Sequence, residues 1–377
     1  MHIGIVGAGL AGVAAAEVAA KRGSNVVLFS AEAALPYFRP RIVEVAAGNT
    51  PEEAITVHPR AWFDERGIEL RLASPVESVD VSSDGFQVRA GTSIERVDRL
   101  ILATGAGPFT PPLYATPRAR LSPLWTLAHA RHIASKLTPG SRLCVIGGGI
   151  LGIELALAAA QRGDIRVTIV EMAPRLMGAQ LCEPVASTLE AVLERRGIDV
   201  RTNASIASFE DRPDALALCL TDSSAIAADQ VVYSLGARPS MALARTIGVA
   251  TGRGIQVNAS LETSIPGIFA CGDVAEFAGI TRSIALEAVK QGRVAGENAA
   301  GGAVTYQSAS VPLSYRQPGF EILAIGPAHP EGAEIRDIPV EAGICTLVLQ
   351  DGKIVGVQAI DARDAFRQFE KRIGETF

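Results

Sequence analysis

The chain has 377 residues, 48% hydrophobic and 20% charged, which is too long for one ordinary domain and too apolar for a disordered chain. Its 35 Lys and Arg against 40 Asp and Glu leave a net charge of −5 and no basic stripe, so nucleic acid is not an expected partner. Five widely spaced cysteines contain no CxxC pair, which argues against a disulfide framework or a cysteine-rich metal site.

In chain order, residues 3–12 (IGIVGAGLAG) form a short apolar run that ends in G-x-G-x-x-G. The run passes into an alanine-rich helix, expected over Val13–Lys21 and stopped at Arg22-Gly23, before a β-branched strand at Asn25–Phe29. Val76–Asp80, Phe86–Val88 and Arg99–Ala103 are expected to feed back to the same sheet. Pro108, Pro111, Pro112, Pro117 and Pro123 then punctuate a crossing into a second unit. Residues 143–152 (LCVIGGGILG) repeat the opening pattern, with a helix expected over Ile153–Gln161 and a strand over Arg166–Val170. Leu216–Leu220 and Gln230–Leu235 occupy the matching later positions, and Gly236–Ser240 (GARPS) marks the crossing back. Near the end, TLVLQDGKIVGV reads as a hairpin turning at Asp351-Gly352, followed by a helix over Ala362–Ile373.

Two β-α-β units in one chain imply an α/β protein with two Rossmann-like dinucleotide-binding domains and a small C-terminal α+β domain. The expected division is 1–110 with 236–305 for the first domain, 111–235 for the second and 306–377 for the third. The most apolar stretch, Leu143–Ala160, contains three consecutive glycines and Glu154, so it reads as a buried strand and helix rather than a membrane span. The opening MHIGIVGAG leaves no room for an apolar leader before the first motif, and a cytoplasmic protein is expected.

The chemistry of the glycine motifs is that of a pyrophosphate cradle. Gly7 and Gly147 allow the tight turn, and Gly9 and Gly149 let the backbone approach a phosphate. Gly12 and Gly152 let helix meet strand. Leu10 and Ala11, like Ile150 and Leu151, stand at a helix N-terminus that supplies partial positive charge. Glu171, 19 residues beyond Gly152, lies where a carboxylate takes both ribose hydroxyls; Glu32, 20 beyond Gly12, is placed similarly. Arg175, four residues after Glu171, is within reach of a 2′-phosphate. His129 and His132 have metal-compatible spacing but no third ligand nearby in sequence, and read as a solvated helix face. No metal is expected.

Further segments carry a resemblance. AEAALPYFRPRI (Ala31–Ile42), LILATGA (Leu100–Ala106), VVYSLGARPS (Val231–Ser240), TSIPGIFACGDVA (Thr263–Ala275) and VKQGRVAGENAAG (Val289–Gly301) occur in that order. Together with the glycine motifs they resemble the FAD-dependent pyridine nucleotide oxidoreductase family, in particular its rubredoxin, ferredoxin and flavorubredoxin reductase branch, over about residues 1–301. The resemblance implies FAD on Gly7, Gly9, Leu10, Ala11, Gly12, Glu32, Arg39, Pro40, Val76, Thr104, Gly105, Asp273 and Gln291. Within that set Asp273 would bond the ribityl chain and Gln291 would lie near the ring. It implies NADH on Gly147, Gly149, Ile150, Leu151, Gly152, Glu154, Glu171 and Gly236. The flavin itself would carry the chemistry, with no catalytic side chain.

Where the ferredoxin-reductase branch has a lysine near the flavin, this chain has Glu44, and its usual partner glutamate is matched by Glu154. Two carboxylates there would raise each other's pKa or lower the flavin potential, unless Glu44 points away. A tryptophan common six residues before the family's QG is Ala285. The redox cysteines of the disulfide reductases are missing from Ile42–Gly48, and Cys144 and Cys271 read as small buried hydrophobes. The expected function is an NADH-dependent flavoprotein reductase that passes electrons to a rubredoxin- or ferredoxin-type protein, docked through Arg39, Arg41 or Arg282. A flavin unit acting on a small molecule or within a larger complex stays open, as does a non-catalytic redox-sensing module.

Overall fold

The computed structural model describes residues 1–308 and 311–377. The segment His2–Val6, buried from Ile3 onward and carrying β-branched Ile3, Ile5 and Val6, runs at the centre of a five-stranded parallel sheet. The strand order is Ile268–Ala270, Arg99–Leu102, His2–Val6, Asn25–Phe29, Ile68–Arg71. Arg142–Ile146 has the same place in a second parallel sheet, ordered Ile198–Arg201, Arg166–Val170, Arg142–Ile146, Gln230–Tyr233, Leu121–Pro123. In each sheet the chain leaves the central strand, forms a helix, and returns on one side, while Arg99–Leu102 and Gln230–Tyr233, further along the chain, pair with the central strand on the other. The glycine loops thus sit where strand order reverses, and there a crevice opens beyond the strand ends.

The helices after the motifs are Leu10–Lys21 and Ile150–Ala160, each beginning three residues earlier than expected. They start directly after Gly9 and Gly149, whose extended backbone serves as N-cap without a capping side chain. Gly12 and Gly152 are required by contact: a Cβ at either would lie 1.9 or 2.2 Å from the carbonyl oxygen of Gly7 or Gly147. Helix Ala285–Ala299 crosses helix Leu10–Lys21 at equally close range. A Cβ on Gly292 would stand 2.1 Å from the oxygen of Ala11, and one on Gly296 would stand 2.3 Å from that of Ala15.

Two expectations need correction. Val76–Asp80 and Phe86–Val88 do not return to the first sheet. Ser78–Ser82, Gly85–Ala90 and Ser93–Val97 form a separate antiparallel three-stranded sheet, and only Arg99–Leu102 joins the parallel one. Likewise Leu216–Leu220 pairs with Ile206–Asp211 and Ala225–Ala228, leaving Gln230–Tyr233 to join the second sheet. Tight turns join these strands to their neighbours in sequence, and local antiparallel pairing satisfies the backbone without a long crossover to the parallel sheet. Ala106–Pro108 and Ala237–Pro239 pair antiparallel, so the two crossings between the units run side by side.

The C-terminal part is a five-stranded antiparallel sheet, ordered Leu313–Gln317, Phe320–Ile325, Lys353–Ile360, Ile344–Gln350, Glu334–Ile338. Asp351 and Gly352 both take positive φ at the expected hairpin turn. Helix Arg363–Glu370, shorter than expected, buries Phe366 and Phe369 against this sheet. The sheet docks beside helix Glu183–Arg195: the Gln358 side-chain oxygen accepts from the Cys182 N–H at 2.6 Å, and Arg196 donates to the Gly319 carbonyl at 2.9 Å.

Candidate dinucleotide sites

At the first crevice three segments distant in sequence converge. Gly7 abuts the Ala103–Thr104 backbone, where its Cβ would fall 2.1 Å from the Ala103 oxygen. Gly272 abuts the first turn of helix Leu10–Lys21, where its Cβ would lie 2.8 Å from that of Ala11. The glycine loop, Thr104-Gly105 and Gly272-Asp273 therefore share one cleft. Nothing stands within 4 Å of a Cβ built on Gly9, and the N–H groups of the first helical turn have no side-chain cap. Free N–H donors facing open space at a helix N-terminus suit a pyrophosphate. The residues present therefore fit a dinucleotide such as FAD.

Glu32 lies just beyond the strand Asn25–Phe29, where its carboxylate accepts from the Tyr37 hydroxyl at 3.0 and 3.1 Å and from Arg39 at 3.5 Å. Arg39, which with Pro40 opens a short 3₁₀ turn, also donates to the Trp125 carbonyl, and its guanidinium lies 5.4 Å from the ring centres of both Tyr37 and Trp125. It is thus committed within the fold rather than presented to a partner. The Thr104 hydroxyl donates to the Ser240 carbonyl at 2.8 Å, tying this cleft to the crossing strands. Burial pushes the Asp273 carboxyl above its ordinary value, opposed by the charge of Arg39 and a hydrogen bond with Ser283. Val76 packs against a cluster that includes Val6, Phe29 and Leu102, at the carboxyl edge of the first sheet. Gln291 is buried, and its amide is engaged by the Gly272 N–H and by Tyr306.

The second crevice repeats the plan. Gly147 abuts the Ser234 carbonyl, which brings Leu235 and Gly236 beside the loop, and Gly149 again faces open space. The Glu171 carboxylate accepts from the Gly148 N–H at 2.6 Å and the Ala173 N–H at 2.7 Å, so it is anchored across the loop. Gly148, which sequence reasoning passed over, cannot carry a side chain: its Cβ would fall 2.3 Å from Leu176 and 3.2 Å from Glu171. The run of three glycines was the available signal. Arg175 is half-buried close by, with its side chain against Gly178.

Glu44 and Glu154 differ in environment. Arg41 donates twice to Glu44, at 2.9 and 2.7 Å, and the Thr50 hydroxyl adds a third bond at 3.1 Å. The Arg41 hydrogen bond, with the Thr50 bond and Arg41's charge, holds the Glu44 carboxyl below its usual value. Burial alone pushes Glu154 up to about 8. The pair does not act as two mutually repelling carboxylates, and Arg41 is spent on Glu44. His129 closes a capping box with Thr126, His132 meets the Ala119 carbonyl, and among the described residues no group of His, Cys, Asp and Glu could hold a metal. Burial pushes the Cys144 and Cys271 thiols up to about 12.

The sequence model of the pyridine nucleotide-disulphide oxidoreductases matches residues 1–297. The chain belongs to that family and is an FAD-dependent NAD(P)H oxidoreductase. It is 32% identical to the biphenyl dioxygenase system ferredoxin–NAD(+) reductase component of Paraburkholderia xenovorans (strain LB400), over 99% of this chain and 93% of that protein. It is 30% identical to the NADH-rubredoxin oxidoreductase of Clostridium acetobutylicum, over 85% of this chain and 80% of that one. Among solved structures it superposes on a chain of the covalent putidaredoxin reductase–putidaredoxin complex with a TM-score of 0.88 and 26% identity, covering 98% and 92% of the two chains. No helix of the described residues is long and apolar enough to cross a membrane.

Proposed function

We propose that this protein takes hydride from NADH and passes electrons singly to a small iron protein of the rubredoxin or ferredoxin class. The observation that carries the reading is chemical: no cysteine occurs before Cys144, and Cys144 and Cys271 are buried and held protonated. A disulfide or peroxide reaction would need a thiolate at the flavin. The relatives named as ferredoxin and rubredoxin reductases support the same acceptor class. Bound flavin supplies the conversion between two-electron and one-electron transfer. The chain's own part is to hold the two nucleotides, with Gly7, Gly9, Gly12, Glu32, Thr104 and Asp273 on one and Gly147, Gly149, Gly152 and Glu171 on the other. The division into 1–110 with 236–305, 111–235 and 306–377 follows this assignment. Five free cysteines are consistent with a cytoplasmic protein.

Arg39 and Arg41 already pair with Glu32 and Glu44, so docking is assigned to other arginines. Arg238, Arg245 and Arg253 line one open groove of about 780 Å³ with no acidic residue in its wall, beside Thr281 and Ser240. Ser240 bonds Thr104 and Gly105, so the groove adjoins the first cleft. An acidic acceptor fits such a surface. The test is anaerobic NADH reduction followed by rubredoxin, ferredoxin, quinone and oxygen as acceptors. Turnover on an iron protein that slows with salt, and falls in R245E/R253E while NADH bleaching of the flavin is unchanged, is expected. Turnover on quinone or oxygen alone would favour a small-molecule acceptor, and absence of flavin bleaching by NADH would remove the enzyme reading.

A further inference from the structure

A chain of buried polar side chains runs from residues 300–308, the connector that follows helix Ala285–Ala299, to the turn that carries Asp273. Tyr306 is 2% exposed, and Glu287 and Gln291 are 3% exposed each. The Tyr306 hydroxyl donates to the Glu287 carboxylate and accepts from Gln291 Nε2 at 3.2 Å. Gln291 Oε1 in turn accepts from the Gly272 N–H at 2.8 Å. The direction of each bond is set by its neighbour. Gly272 N–H can only donate, so the amide oxygen of Gln291 must face it and the amide nitrogen must face Tyr306. The phenol accepts that bond and gives its single proton to Glu287.

The connector itself is fastened. Asn298 donates to the carbonyls of Ser260 and Val304 and accepts from the Val304 N–H, each at 2.8 Å. Tyr306 N–H donates to the Ala259 carbonyl at 2.7 Å, Lys290 donates to the Gln307 carbonyl at 2.7 Å, and Phe277 meets the Tyr306 ring edge-on at 5.1 Å. A packing role alone would be served by apolar side chains. Burying a carboxylate, a phenol and an amide is costly unless they are joined, and joining them favours one geometry.

We propose that Tyr306 and Glu287 are positioning residues for the flavin, acting through Gln291 to hold the Gly272–Asp273 turn in its binding orientation. The proposal rests on Asp273 facing FAD. It extends the flavin site to the connector, a segment outside every motif that marks the site in sequence.

The test uses the full chain as Tyr306→Phe, Glu287→Gln and Glu287→Leu. Two readouts apply: hydrogen exchange of the segment 268–274 in the apoprotein, and the FAD dissociation constant with the flavin absorption spectrum. Y306F is expected to speed exchange of that segment and weaken FAD about tenfold. E287Q, whose amide oxygen still accepts from Tyr306, should stay within about threefold of wild type, whereas E287L should match Y306F. Wild-type exchange and affinity in folded Y306F, or equal losses in E287Q and E287L, would overturn the proposal. If Y306F does not fold, the E287Q and E287L pair decides the outcome. Faster exchange with unchanged FAD affinity would keep the link to the turn but show that the network does not govern flavin binding, overturning the positioning role without touching the choice of acceptor.

Discussion

Replacing Glu154 by Gln should raise thermal stability at pH 9 and change its pH dependence between pH 5 and 8. The side chain is partly buried on helix Ile150–Ala160, and burial lifts its pKa from 4.5 to about 8. The native state therefore keeps a proton that the unfolded chain releases near 4.5. Between those values the native state binds more protons, so wild-type stability falls as pH rises and levels off above about 8. The full interval corresponds to ~5 kcal/mol at about 1.36 kcal/mol for each tenfold change in proton activity. With an unfolding entropy near ~2.1 cal/mol/K per residue, that is a ceiling of roughly 6 °C in Tm. The side chain can turn toward water, which lowers the cost. Tm would be followed from pH 5 to 9 on flavin-loaded, nicotinamide-free wild type and E154Q. The difference should grow by several degrees and then flatten, and any constant cost of the amide cancels in that comparison. Glu44→Gln serves as the control. Glu44 is held low by Arg41, so it is ionised in both states above about pH 6 and its effect should not change with pH there. An E154Q difference that is flat across the range would refute the reasoning.

Asp273→Ala should weaken FAD retention by about 1–3 kcal/mol through loss of a buried hydrogen-bonding group, read by titrating apoprotein; unchanged affinity would remove Asp273 from the site. The protein should prefer NADH to NADPH, because Glu171 would accept from a ribose hydroxyl and repel a 2′-phosphate. Glu171→Ala should narrow that preference in kcat/KM and free the N–H groups of Gly148 and Ala173, and equal use of both coenzymes by wild type would contradict the assignment. Cys144 and Cys271, with thiols pushed up to about 12, should resist iodoacetamide at pH 8 until denaturant is added; rapid labelling of the native protein, seen by mass spectrometry, would argue against their burial.

The two dinucleotide folds and the C-terminal hairpin were legible in the sequence because their demands are local. A tight turn, a close helix–strand contact and an uncapped helix start each require a residue type at a fixed offset, so Gly7, Gly12, Gly147, Gly152 and Asp351-Gly352 announce their structure directly. The positions of Asp273 and Thr104 were readable only through ordered motifs resembling a known family. What tertiary structure decided were pairings between distant or ambiguous partners. Ser78–Ser82 could have joined the parallel sheet, but it pairs with its hairpin neighbour Gly85–Ala90 instead. Arg39 and Arg41 looked available to a partner, but Trp125 lies 86 residues from Arg39 and the orientation of Glu44 depends on the local turn. The raised pKa of Glu154 and the chain from Tyr306 through Gln291 to Gly272 likewise arise from burial, which is produced jointly by segments far apart in sequence. A residue type states which bonds a side chain can make; only the packed fold removes water and leaves it one partner.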